Sequence, residues 1–102
     1  MDILNEIKEK IEQIEPDAMV YLFGSRARKD FNESSDWDLL ILLPGTASFS
    51  RKGKIIKSLL DIELRHNIIF NRIIHSLNYW KNNNILKQSP FYKNVLKDAI
   101  LL

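Results

Sequence analysis

The sequence predicts a small α/β domain in which helices cover a short β-sheet of three or more strands. Three observations predict it. Apolar residues recur at helical spacing in three separated stretches. Short runs of apolar and β-branched residues lie between those stretches. Glycine and proline punctuate the joins.

In order, Asp2 is placed to cap a first helix in which Leu4, Ile7, Ile11 and Ile14 form the apolar stripe and Pro16-Asp17 stops the run. Ala18 to Phe23 reads as a strand ending at Gly24, and Ser25 to Asn32 is polar and basic with a short helix starting at Ser25. Asp36 to Leu43 is a second strand, closed by Pro44-Gly45, and residues 44–50 form a loop. A helix from about Arg51 to Arg65 carries Ile55, Ile56, Leu59, Leu60 and Ile62 on its apolar face. Ile68 to His75 is β-branched enough for a third strand. Ser76 to Gln88 is ambiguous, with a break at Asn82-Asn83-Asn84. Ser89-Pro90 reads as an N-cap followed by proline at the first helical position, and Phe91, Val95, Leu96, Ala99 and Ile100 supply the face of the last helix.

The 102 residues suit a single domain over 1–102. At 45% hydrophobic and 27% charged, the composition excludes disordered and collagen-like classes. The absence of cysteine excludes disulfides, thiolate zinc sites, iron–sulfur clusters and thiol nucleophiles, and fits a reducing compartment. No apolar run approaches the length of about 18 residues that a membrane span needs, and the N-terminus does not read as a signal peptide. The expectation is a soluble, cytoplasmic protein with no membrane partner. Charge is uneven. Residues 1–38 carry ten acids and five bases, whereas residues 39–102 carry three acids and ten bases. A basic half attracts phosphates, nucleic acid or an acidic partner, but it is also what a lysine-rich solvated helix surface looks like. No nucleic-acid-reading motif is present, so nucleic acid is not the favoured partner.

The chemistry sits between Gly24 and Asp38. Gly24-Ser25-Arg26-Ala27-Arg28 follows a buried strand and opens a helical turn. Glycine lets another group approach the backbone closely, the N–H groups of the turn suit an anion, Ser25 adds a hydroxyl, and Arg26 and Arg28 add charge. Taken alone, Gly-Ser after a strand is an ordinary turn. In Ser35-Asp36-Trp37-Asp38 the two carboxylates lie two residues apart, on one face of a strand and about 7 Å from each other at the backbone. Beyond Asp38 both faces turn apolar, as in a central strand covered on both sides. Two unpaired acids at the mouth of such a strand repel each other and resist desolvation, and a divalent cation relieves both penalties. Hard oxygen donors without nearby His or Cys suit Mg²⁺ or Mn²⁺. The plainer alternative has Asp36 capping a turn and Asp38 paired with an arginine. Together, an anion-binding turn after one strand and a metal-binding pair at the start of the next form the site that nucleotidyl transfer needs.

Residues 24–41, with Gly24-Ser25-Arg26-Ala27-Arg28 followed by Ser35-Asp36-Trp37-Asp38-Leu39-Leu40-Ile41, resemble the signature of the DNA polymerase β-like nucleotidyltransferases. The nearest branch is the minimal nucleotidyltransferases, often the antitoxin partners of helical HEPN-type toxins. The resemblance implies a short mixed β-sheet flanked by helices, the nucleotidyltransferase fold, and transfer of a nucleoside monophosphate, AMP from ATP, to a hydroxyl acceptor such as a partner toxin. It implies Gly24, Ser25 and Arg26 at the nucleotide, and Asp36 and Asp38 as catalytic residues and ligands of Mg²⁺ or Mn²⁺. It leads us to expect a HEPN-type partner or a second copy of the chain. Two departures stand out. Lys29 occupies a place where the family often has a second glycine. Asn71 falls about where a third carboxylate, the general base, is usual, and an amide cannot accept the acceptor's proton. Glu63, near the apolar stripe of its helix, and Asp61 are the nearby acids that would have to substitute. Without such an acid, the alternative is a nucleotide-binding interaction protein that acts by binding its partner. His66 and His75 read as surface or helix-end residues, Trp37 as core, and Tyr79, Trp80, Phe91 and Tyr92 as a cover over the sheet.

Overall fold

The computed structural model describes residues 2–102. Helix α1 (Ile3–Ile14) starts where the Asp2 carboxylate accepts the Leu4 N–H at 3.1 Å, and it buries Ile7 and Ile11. Strand β1 (Met19–Phe23) leads through Gly24 into a one-turn helix, α2 (Ser25–Arg28), and strand β2 (Trp37–Leu43) follows. Helix α3 (Phe49–His66) begins two residues earlier than expected because Ser48 caps it, its hydroxyl accepting the Arg51 N–H at 3.2 Å. Strand β3 (Phe70–Ser76) comes next. The ambiguous stretch resolves into two short helices, α4 (Leu77–Asn82) and α5 (Asn84–Lys87), broken at Asn83. Helix α6 (Pro90–Asp98) is capped by Ser89, and a two-residue strand β4 (Ile100–Leu101) ends the sheet.

The sheet has the order β3-β2-β1-β4. β1 is antiparallel to both β2 and β4, and β2 is parallel to β3, so the sheet is mixed and α3 makes the crossover. β2 is one of the two interior strands, with Leu39 to Leu43 all buried, as its continuous apolar run requires. Its alternate side chains serve two cores. Leu39, Ile41 and Leu43 meet α1 and α3 through Ile7, Ile11, Ile55, Leu59 and Ile62. Leu40 and Leu42 meet Phe23, Trp80 and Val95 on the other face. Trp80 is buried there and packs on Phe91 (6.1 Å) and Tyr92 (4.8 Å), so these aromatics do cover the sheet, while Tyr79 stays exposed. Trp37 packs against the first core.

Two expectations about apolar faces need correction. Ile56 and Leu60 are exposed, because α3 buries only the narrower line of Ile55, Leu59 and Ile62. The last helix stops at Asp98. Ile100 belongs to β4, where it pairs with Leu22 of β1, and Leu96 is 63% exposed. Edge pairing with β1 outweighs one further turn of helix there.

Charged contacts tie the helices together. The buried Glu6 accepts from Arg65 and from His66 Nε2 (2.7 Å), joining α1 to the end of α3. The Arg65 guanidinium, opposed by burial and helped by His66, holds this carboxyl below the usual carboxylate range. Arg51 grips Glu15 in a two-pronged pair (2.8 and 2.9 Å), which lowers the Glu15 carboxyl in the same way.

Candidate active site

Gly24 is the hinge of the site. Its φ of 75° and ψ of −157° lie in a region open essentially to glycine alone. A Cβ at this position would overlap Asp38 Oδ2 and stand 3.0 Å from Asp38 Cγ. The group that approaches the bare backbone of Gly24 is therefore the Asp38 carboxylate, brought there because Phe23 and Asp38 are register partners across β1 and β2. The bend opens α2, whose first residue is Ser25, and the Gly24 carbonyl accepts the Ala27 and Arg28 N–H groups, both at 3.1 Å.

Asp38 is half-buried, but β2 starts at Trp37 rather than at Asp36 as expected, so Asp36 lies outside the strand, exposed, and lines a hollow with Arg26, Ser35 and Trp37. Leu40 marks the face of Asp38 as the one that packs on Trp80 and α6. Asn71 is the β3 partner of Asp38 in the parallel ladder, and its Nδ2 donates to Asp38 Oδ1 at 3.0 Å. The sheet thus sets an amide where the resemblance leads one to expect an acid, and that amide fixes the carboxylate's orientation.

Neither substitute acid reaches the pair. Glu63 does face the sheet, but from α3, on the face opposite Asp38. There it accepts from Arg72 Nη1 (2.6 Å) and from the Phe70 N–H (2.9 Å), fastening the start of β3. Asp61 pairs with Arg65 at 3.1 Å and with Lys10 at 3.8 Å. Among the described residues no group of three or more acids or histidines is placed to hold a metal.

The arginines are engaged in holding the loop between α2 and β2. Arg26 Nε and Nη2 donate to the Ser35 carbonyl (3.1 and 3.0 Å), and Nη2 reaches the Glu33 carbonyl at 3.4 Å. Its guanidinium also lies over the rings of Trp37 (4.1 Å) and Phe31 (4.5 Å). The Asn32 side chain accepts from Ser34 N (2.9 Å), and Ser35 Oγ accepts the Asn32 N–H (3.1 Å), so the residues just before Asp36 form a closed turn. Arg28 bridges Asp30 (3.1 Å) and Asp98 (2.9 Å), tying α2 to the end of α6. Lys29 ends α2 in the left-handed conformation at φ 66°, which gives a physical reason why glycine suits that place.

The Arg26 clamp and the Asn71–Asp38 bond lie outside what the sequence predicts. The clamp's signal was an arginine with two aromatics and a Ser/Asn turn close behind it. The bond's signal needed the register of β2 and β3.

Comparison with known proteins decides the family. The nucleotidyltransferase domain model matches residues 4–102. The chain belongs to the nucleotidyltransferase domain family. A relative from Methanocaldococcus jannaschii, named a protein adenylyltransferase, is 39% identical over 77 residues, which is 74% of this chain and 78% of that protein. The fold recurs in a toxin–antitoxin crystal structure with AMP-PNP (TM-score 0.65, 16% identity, 99% of this chain and 72% of that one). It recurs in a nucleotidyltransferase structure from Sulfolobus solfataricus (TM-score 0.54, 24% identity, 97% and 75%). A mutant of the MntA–HpeT toxin–antitoxin is a further neighbour (TM-score 0.62, 14% identity, 99% and 71%). At these identities the structural likenesses establish the mixed-sheet nucleotidyltransferase fold.

The donor set fits a divalent cation. Asp36 and Asp38 offer hard oxygens, and the Gly24 bend leaves the Asp38 carboxylate against bare backbone. Mg²⁺ is commonly held by one or two carboxylates, with substrate phosphates and water completing its shell. Two carboxylates without a third acid suit a single such ion better than a pair.

Proposed function

We propose that this chain transfers AMP from ATP to a hydroxyl of a protein acceptor. The observation that carries the reading is the Asp38 carboxylate, seated against the bare backbone of Gly24 where α2 opens. The name of the 39%-identical relative supports an adenylyl donor and a protein acceptor. The toxin–antitoxin neighbours support a partner protein as that acceptor, and we take a helical HEPN-type toxin as its type, with a second copy of the chain as the other candidate.

In this reading Gly24 and Ser25 present backbone N–H groups and a hydroxyl to the triphosphate. Arg26 acts from behind, holding the loop that carries Asp36 and adding positive charge near the phosphates. Asp36 and Asp38 would hold Mg²⁺ or Mn²⁺, which would supply neutralisation of charge on the triphosphate and the departing pyrophosphate. The acceptor hydroxyl attacks the α-phosphorus in line, forming the new P–O bond as the bond to pyrophosphate breaks. Asn71 cannot take the hydroxyl proton, which is left to a group of the acceptor or to water.

That amide favours a second reading, in which the domain binds nucleotide and partner without efficient transfer. ATP labelled at the α-phosphate, given with Mg²⁺ and the candidate partner, separates the two. Label on the partner that disappears in Asp38→Asn supports transfer. A Mg²⁺-dependent thermal shift with ATP and no label on any partner supports the binding-only reading.

A further inference from the structure

The sheet carries a second hollow at its other end. From Asp38, β2 continues to Leu43, roughly 17 Å of extended chain at about 3.3 Å per residue, before the chain turns at Pro44-Gly45. There, Gly45, Thr46, Ala47, Lys52, His75, Ser76, Asn78 and Tyr79 line a cavity of about 580 Å³. That volume is within the range of small-ligand sites, roughly 300–1,000 Å³. None of its lining residues belongs to the site built on Gly24, Asp36 and Asp38.

The rim of this cavity is built rather than loose. Arg51, already paired with Glu15, donates from Nη1 to the carbonyls of Pro44 and Thr46, both at 2.7 Å. Ser48 N–H donates to the Thr46 carbonyl at 2.9 Å. The lower wall is set by the end of β3, where the Ser76 hydroxyl accepts the Tyr79 N–H at 3.0 Å and the His75 and Tyr79 rings lie 4.7 Å apart.

Most side chains lining this space carry a hydrogen-bonding or cationic group. Lys52 brings an ammonium that enters no ion pair among the described residues. Thr46 and Tyr79 bring hydroxyls, Asn78 an amide and His75 an imidazole, and no Asp or Glu lines the cavity. Burial, and secondarily the Lys52 charge, holds His75 below its ordinary range, so at neutral pH the ring remains a neutral hydrogen-bonding group. A hollow that offers one free cation and several donors, without a carboxylate to repel an anion, selects phosphate chemistry.

We propose that this cavity is a second ligand site, separate from the aspartate pair, that takes a small phosphate-bearing molecule with its phosphate on Lys52 and Thr46. The shared chemistry is the phosphate group, whether free or carried as a monoester on a nucleoside. The site does not rest on the transfer reading, and the aspartate pair is not needed for it.

The test is amide and histidine-ring NMR of the full chain, without divalent ions, titrated separately with inorganic phosphate, AMP and adenosine. Phosphate and AMP are expected to shift the signals of Thr46, Lys52, His75 and Tyr79, adenosine to leave them still, and Asp38→Asn to leave the response intact. Lys52→Gln and Thr46→Val, both on the rim, are each expected to weaken binding by tenfold or more. If phosphate alone shifts these signals, the free anion is the ligand class; if only AMP does, the monoester is, and either supports the site. No shift with either probe at 20-fold excess over protein at millimolar concentration, or a response unchanged in Lys52→Gln, overturns it.

Discussion

Replacing Gly24 with alanine attacks the geometry on which the site is built. Two costs follow from the structure. The first is conformational. At φ 75° and ψ −157°, a residue with a Cβ carries a strain of about 1–3 kcal/mol. The second is steric. The new Cβ overlaps Asp38 Oδ2 and lies 3.0 Å from Cγ and 3.4 Å from the Asp38 Cβ, so the carboxylate must rotate away and give up the 3.0 Å bond from Asn71. A partly exposed hydrogen bond of this kind adds about 0.5–1.5 kcal/mol. The sum is roughly 2–4 kcal/mol, against a total stability of about 5–15 kcal/mol for a domain. In a domain of this size that lowers Tm by about 10 °C or more. Because Asp38 turns, affinity for Mg·ATP is expected to fall at least tenfold as well. Thermal melts and Mg·ATP titrations of Gly24→Ala read both effects. Gly53→Ala is the control, since nothing lies within 4 Å of a Cβ there and alanine favours the helix by about 0.5–1 kcal/mol. A Gly24→Ala protein that melts and binds Mg·ATP like the parent refutes the reasoning.

Other perturbations give graded outcomes. Lys29→Gly relieves a left-handed residue and is expected to raise stability by about 0.5–1 kcal/mol, read as a rise of a few degrees in Tm. Glu6 has a folded-state value below its ordinary 4.5, so its contribution to stability is complete above pH 4.5 and is lost as pH falls through the folded value. Melts between pH 6 and 3 should therefore show a decline that is shallower in Glu6→Gln. Asn71→Asp sets a carboxylate opposite Asp38 and removes the amide donor, so the variant is expected to lose stability without divalent ions and to recover it on adding Mg²⁺. Equal Tm values with and without Mg²⁺ would count against a cation site there.

Much of the fold was legible because its strongest signals are local. β2 declares itself by an unbroken apolar run after Asp38, and α1 and α6 by their caps at Asp2 and Ser89, whereas the apolar stripe of α3 points to a start near Arg51 and its Ser48 cap begins it two residues earlier. What escaped depends on contacts between distant segments. β4 has two residues and no period of its own, and it exists because Tyr21 and Leu22 offer an open edge. Glu63 lay near the apolar stripe of its helix and does face the sheet, but only the tertiary structure reveals that Arg72 and the Phe70 N–H claim it. The candidate site divides in the same way. The spacing of Asp36 and Asp38 and the need for glycine at position 24 were readable along the chain. The partner that requires that glycine, Asp38 itself, emerges only from the pairing of β1 with β2.

Calorimetric titration of the purified chain with ATP, in the presence and absence of Mg²⁺, bears most directly on the central claim that Gly24, Asp36 and Asp38 form one nucleotide and cation site. Saturable heat is expected with ATP and Mg²⁺ together, reduced tenfold or more without the cation and in both Asp36→Asn and Asp38→Asn, while each variant remains folded. Saturable binding of the same strength in those variants would contradict the claim, and so would the absence of heat from the parent protein with any ribonucleotide and either Mg²⁺ or Mn²⁺.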